Sequence, residues 1–176
     1  MMKMIMKNIF SILFFISLTL GWGINNASAQ TVVLSVDDIA ADAGSTVELD
    51  VTVDNFTEMV TMQFSVFWPE NLASFNSVTN LNPDISLAAS QVVNNAPGSI
   101  LVSWNHPSLV PQTLDNGTVL FTIVLDVIGA ECEEGPLRVD DPIGPLLIEF
   151  NRRLEGELIE APVDTQGGTL SINGED

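Results

Sequence analysis

Val47-Glu48-Leu49-Asp50-Val51-Thr52-Val53-Asp54 alternates apolar and polar residues without a fault. Successive side chains on a strand point to opposite sides, so Val47, Leu49, Val51 and Val53 share a buried face while the acids stand in water. The segment is therefore a strand of a half-buried sheet. Thr118 through Ile128 repeats the pattern, with Val119, Phe121, Ile123, Leu125 and Val127 on one face. Leu120 and Val124 add cover on the other face, which marks a central strand.

Working outward, further strands are predicted at Thr31–Val36, Met59–Trp68, Leu72–Val78, Ser99–Trp104, Leu146–Phe150 and Gly168–Ile172, with additional ones near Leu154–Ala161 and Gln91–Val93. The separators carry turn chemistry: Ala43-Gly44, Asp54-Asn55, Asn82-Pro83-Asp84, Ala96-Pro97-Gly98 and Asp115-Asn116-Gly117. Nowhere does a 3.6-residue apolar stripe run for ten positions or more, so helices are not expected. Short strands at this spacing predict an all-β domain, an eight- or nine-stranded β-sandwich with jelly-roll topology.

The amino-terminal residues have a different pattern. Lys3 and Lys7 precede an apolar run from Ile9 to Leu20, and Ala27-Ser28-Ala29 supplies the small-x-small site that a signal peptidase accepts. The apolar run is shorter than the roughly 20 residues of a spanning helix. Residues 1–29 are thus expected to be a cleaved signal peptide and residues 30–176 one secreted domain, with no membrane attachment after cleavage.

Charge narrows the choice of partner. All 23 acidic residues lie beyond Val36, and loss of Lys3 and Lys7 takes the formal net charge from −18 to −20. Such a field repels phosphate backbones and anionic lipid, which excludes nucleic acid as a partner. Catalytic equipment is sparse. The one histidine, His106, cannot build a His-based metal cluster, and no Gly-x-Ser-x-Gly elbow accompanies it. The one cysteine, Cys132, sits between Glu131 and Glu133, where neighbouring carboxylates disfavour a thiolate. A binding protein, not an enzyme, is expected.

Two residue sets are candidates for ligands. Trp68 and Trp104 are possible platforms for carbohydrate, although each is in phase with apolar neighbours that point to the core. Asp37, Asp38 and Asp42, or Asp140 and Asp141, are possible oxygen ligands for calcium in a structural or adhesive domain, although no EF-hand loop is present. No other cofactor is implied.

The stretch from Val32 to Phe75 resembles the amino-terminal half of a cohesin domain. The first strand Val32-Val33-Leu34-Ser35-Val36-Asp37 leads to Ala43-Gly44-Ser45-Thr46-Val47, similar to the family's Pro-Gly-Asp-Thr-Val turn. Met62-Gln63-Phe64-Ser65-Val66-Phe67-Trp68-Pro69-Glu70-Asn71-Leu72 is similar to the family's aromatic strand and the turn that follows, with Trp68 where the family has aspartate. Downstream, Gly117-Thr118-Val119-Leu120-Phe121 and Gly167-Gly168-Thr169-Leu170-Ser171-Ile172 resemble the long strand and the closing strand. The resemblance implies an extracellular, non-catalytic domain that docks a dockerin-like protein module of polysaccharide-degrading assemblies. It also implies that Thr61, Gln63 and Ser65, the outward residues of the aromatic strand, form the protein-binding face. A jelly-roll carbohydrate-binding module, with polysaccharide as partner, is the alternative.

Mass spectrometry of the exported protein is expected to show an amino terminus at Gln30; a chain retaining the apolar run would contradict the processing site.

Overall fold

The computed structural model describes residues 30–174; the expected leader, residues 1–29, lies outside them. Its first strands are β1 (Val32–Val36), β2 (Ile39–Ala41), β3 (Thr46–Asp54), β4 (Met59–Phe67), β5 (Ala73–Thr79), β6 (Val92–Ala96) and β7 (Ser99–Asn105). Then follow β8 (Thr118–Val127), β9 (Glu134–Asp140), β10 (Glu149–Leu154), β11 (Glu157–Glu160), β12 (Val163–Gln166) and β13 (Gly168–Ile172). Among the described residues there is one turn of 3-10 helix, Ala89–Gln91, and no α-helix.

The strands form two mixed sheets that face one another across one core. The smaller has the order β12-β1-β3-β8-β5. The larger is organised around β4, whose one edge pairs along its length with β7, itself paired with β6. The other edge of β4 pairs with β10 near its start and with β9 near its end. Beyond β10 lies β11, and beyond β9 lie β13 and β2.

Among the described residues thirteen strands replace the expected eight or nine, because several expected units are split and others carry no sequence signal. β2 and β12 are too short to show a period. β9 contains Gly135 and Pro136, which read as a break, yet Leu137 and Val139 are buried in alternation. The strand expected at Leu146–Phe150 starts only at Glu149, and the one expected at Leu154–Ala161 is the second arm of a hairpin turning at Glu155-Gly156. Both turn residues have positive φ, 51° and 89°, as a tight two-residue hairpin loop requires.

The chain changes sheet near each end, and the two crossings pack together. At Asp37-Asp38 it passes from β1 to β2, and at Gly167 from β12 to β13; β1 runs parallel to β12 and β2 parallel to β13. A Cβ on Gly168 would stand 2.4 Å from the Asp37 backbone, and one on Gly167 2.4 Å from the Leu137 carbonyl oxygen. Only glycine lets the crossings approach this closely.

Between the sheets the inward residues of β3, Leu49, Val51 and Val53, meet those of β4 and β7. Phe64 stacks on Phe121 of the opposite sheet, centroids 6.4 Å apart, and on Phe150, 6.0 Å away. Phe56 closes the end of this row against Phe150 and Trp104. Truncating so central a ring forfeits burial and leaves a cavity, which costs about 3–5 kcal/mol. In urea titrations Phe64→Ala is expected to lose about that much, and Gly168→Ala about 1–3 kcal/mol through overpacking; a Gly168→Ala midpoint equal to the parent's would contradict the packed crossing.

Candidate protein-docking face

The outward side of the larger sheet is set by the register of β4. Thr61 lies beside Asn105 of β7 and Asn151 of β10; Gln63 lies beside Ser103 and Glu149; Ser65 lies beside Leu101 and Asp140. The first two rows are polar. Asn151 donates its side-chain amide to the Thr61 hydroxyl at 3.1 Å. The Gln63 amide donates to the Leu147 carbonyl at 3.2 Å. Thr61 and Gln63 are half-buried, whereas Asn105, Ser103 and Glu149 are exposed.

Ser65, expected at the surface with them, is fully buried and its hydroxyl has no hydrogen-bond partner. A short side chain framed by the longer Gln63, Phe67 and Leu101 loses its access to solvent. It is unavailable for direct contact in this arrangement.

The face has a feature that the sequence pattern did not disclose. Asp140 of β9 is opposite Ser65 and Glu149 of β10 is opposite Gln63, so β9 and β10 follow one another along the same edge of β4. Where one residue would span the gap, residues 141–148 make an excursion. Its base is closed by Asp141, whose carboxylate accepts the Ile148 N–H at 2.7 Å, and by the Gln63 contact. Ile143, Leu146 and Leu147 are 55%, 42% and 67% exposed on it. The sequence signal was Asp141-Pro142 followed by Gly144-Pro145, turn chemistry enclosing apolar residues that have no period.

The other candidate residues have structural roles in this fold. Trp68 and Trp104 are buried, and their indole N–H groups donate to the carbonyls of Ala73 (3.0 Å) and Ile85 (2.9 Å). Neither ring offers a face on which a sugar can stack, which removes the platforms suggested for a carbohydrate-binding module. His106 accepts the N–H groups of Ser108 and Val110 through Nδ1 and so stabilises its own turn.

The aspartates considered for calcium are spread among turns. Asp38 accepts the Thr169 N–H where the crossings meet, Asp42 accepts the Asn173 amide, and Asp140 pairs with Arg138 at 3.3 Å. Among the described residues no three His, Cys, Asp or Glu side chains converge as metal ligands. Cys132 is an exposed free thiol.

Comparison with known proteins locates this architecture. The family model for the cohesin domain matches residues 32–138. Among solved structures, the seventh ScaB type I cohesin from Pseudobacteroides cellulosolvens is 16% identical, with a TM-score of 0.70 over 83% of this chain and 94% of that one. The Coh-OlpA–Doc918 cohesin–dockerin complex from Clostridium thermocellum includes a chain 15% identical, with a TM-score of 0.64 over 81% and 99%. A non-cellulosomal cohesin from the archaeon Archaeoglobus fulgidus is 16% identical, with a TM-score of 0.60 over 82% and 93%. No curated protein matches the chain.

A buried hydroxyl without a partner is destabilising, because its desolvation of about 1–3 kcal/mol is not offset. Ser65→Ala is therefore expected to raise the thermal midpoint; a lower midpoint would show that the hydroxyl is satisfied in solution.

Proposed function

Because this chain belongs to the cohesin family, we propose that it is a secreted, non-catalytic docking domain that binds a dockerin-like protein module through the outward face of its larger sheet. The observation that carries the assignment to this face is where the chain exposes apolar surface. Of eight large apolar side chains left exposed among the described residues, Val93 and Leu158 stand on strands of the larger sheet. Ile143, Leu146 and Leu147 stand on the excursion between two of its strands. None stands on a strand of the smaller sheet, whose outward positions include Glu48, Asp50, Asp126 and Asp164. Interfaces derive affinity from a few apolar anchors and use surrounding polar groups for complementarity.

The excursion supplies the anchors in this reading. Thr61, Gln63, Ser103 and Asn105 supply directional hydrogen bonds beside it. The fold of a cohesin seen in complex with a dockerin supports the choice of partner. The signal-like leader supports export. Ser65 takes part only as a spacer beneath the face.

The test is calorimetric titration of the secreted chain with dockerin-type modules encoded by the same organism. Leu147→Asp, at a side chain exposed enough to leave folding intact, is expected to weaken binding at least tenfold, equivalent to about 1.4 kcal/mol. Asp164→Asn on the opposite face is expected to leave it unchanged. Equal affinities for parent and Leu147→Asp would rule out this face, and no binding of any such module would rule out the docking function.

A further inference from the structure

Two Asn-Gly pairs stand exposed on the domain, Asn116-Gly117 in the turn before β8 and Asn173-Gly174 just past the end of β13. Asparagine followed by glycine is the dipeptide most prone to modify itself, because no side chain crowds or restrains the glycine nitrogen. That nitrogen, once hydroxide has taken its proton, attacks the asparagine Cγ. The Cγ–Nδ2 bond breaks, ammonia leaves and a five-membered imide forms. Water then opens the imide at either carbonyl to give aspartate or isoaspartate. The net change is hydrolysis of one side-chain amide, and no oxidant or cofactor enters it.

The reaction requires a glycine nitrogen free to lose its proton and turn onto Cγ, and a carboxamide free to receive it. At Asn116 the fold restrains both groups. The Gly117 N–H donates to the Asp54 carboxylate at 2.6 Å and to the Val53 carbonyl at 3.1 Å, and Asn116 Oδ1 accepts the Asn55 N–H at 2.9 Å. A carboxylate on that N–H also opposes the negative charge that deprotonation would create. Reaction there waits for a local opening that breaks these bonds to β3 and the residue after it. At Asn173 the bonds hold other atoms. Its backbone N–H donates to the Ala41 carbonyl at 2.8 Å and its Nδ2 to the Asp42 carboxylate at 2.8 Å. Among the described residues no hydrogen bond holds the Gly174 N–H or Asn173 Oδ1. Both residues line an open cleft of about 390 Å³ that admits solvent.

Conversion at Asn173 changes a contact on which the closing strand depends. The group lost is the donor that Asp42 accepts, and the group gained is a second carboxylate, so an attraction becomes a repulsion between like charges. The same residue carries the hydrogen bond from Asn173 N–H to Ala41, the last residue of β2. β2 has three residues, paired with Leu170, Ser171 and Ile172 of β13. A strand this short has few other bonds to hold it in place.

We propose that Asn173 is a site of spontaneous deamidation whose conversion loosens the pairing of β13 with β2, while Asn116, with the same dipeptide, is shielded by its turn. The site is independent of the docking face. The test keeps the full secreted chain in mildly alkaline buffer and follows both peptides over time by mass spectrometry, with fragmentation that separates aspartate from isoaspartate. Asn173 is expected to convert roughly tenfold or more faster than Asn116 in the folded chain, and the two rates to converge in denaturant. Amide exchange at Asn173 is expected to quicken in the converted fraction. Asn173→Asp is expected to lower the thermal midpoint, and the further change Asp42→Asn, which exchanges donor and acceptor, to restore it. No conversion of Asn173, or a rate equal to that of Asn116 in the folded chain, would overturn the site. A difference that persists undiminished in denaturant would overturn the shielding of Asn116. An Asn173→Asp midpoint equal to the parent's, or no rescue by Asp42→Asn, would overturn the loosening.

Discussion

Strand β4 has to satisfy backbone hydrogen bonds to three other strands while its side chains serve two surfaces at once. Along one edge it meets β7 throughout; along the other it meets β10 and then β9. No other strand of the larger sheet joins so many partners, and that sheet is held together through it. The alternation of Met62, Phe64 and Val66 with Thr61, Gln63 and Ser65 means that a slip of one residue would put the aromatic core in water and the polar row inside. The stack of Phe121, Phe64 and Phe150 fixes the register from within, and the same register sets out the outward row of Thr61 and Gln63.

The two sides of the sandwich are chemically unlike. The smaller sheet shows water a surface of acids, threonines and serines, and the Thr122 hydroxyl is bound to Asp50 at 2.5 Å. The larger sheet carries all three arginines beyond the leader. Arg152 is buried and donates to the Gln30 carbonyl at 2.7 Å, Arg153 is half-buried, and Arg138 is exposed over the Phe67 ring. So acidic a molecule is repelled from copies of itself at most angles of approach. A partner with apolar surface and little negative charge meets the least resistance at the larger sheet, where the exposed apolar side chains are gathered.

How much of this was legible in the sequence depended on whether period and burial coincided. For β3, β4, β7 and β8 they did: each is long, alternating and bounded by turn residues, and each lies within two residues of its expected span. β9 was hidden because Gly135 and Pro136 serve as breakers in most contexts, whereas here Gly135 lets the backbone pass Pro69, whose ring would stand 2.5 Å from any Cβ. Trp68 and Trp104 showed their core phase, and the structure buries both. Ser65 had the outward phase, but phase predicts direction and not the height of the neighbours that enclose a short side chain. In the excursion at 141–148 the apolar Leu146, Leu147 and Ile148 imitate the start of a strand, and nothing local says that two segments of one strand edge are separated there.

The two sheet crossings have a temporal meaning as well. Among the described residues β2 pairs with β13 alone, and the far side of β1 is closed by β12, pairs separated by about 130 residues of sequence. Such distant pairings make folding slow, since a long loop must close before any contact rewards it. A chain emerging from its amino terminus therefore cannot complete either sheet until its last strand is free. The glycines at 167 and 168 belong to this late step, because the crossing that brings β12 and β13 onto the first strands can seat only where no Cβ meets the Asp37 and Leu137 backbone.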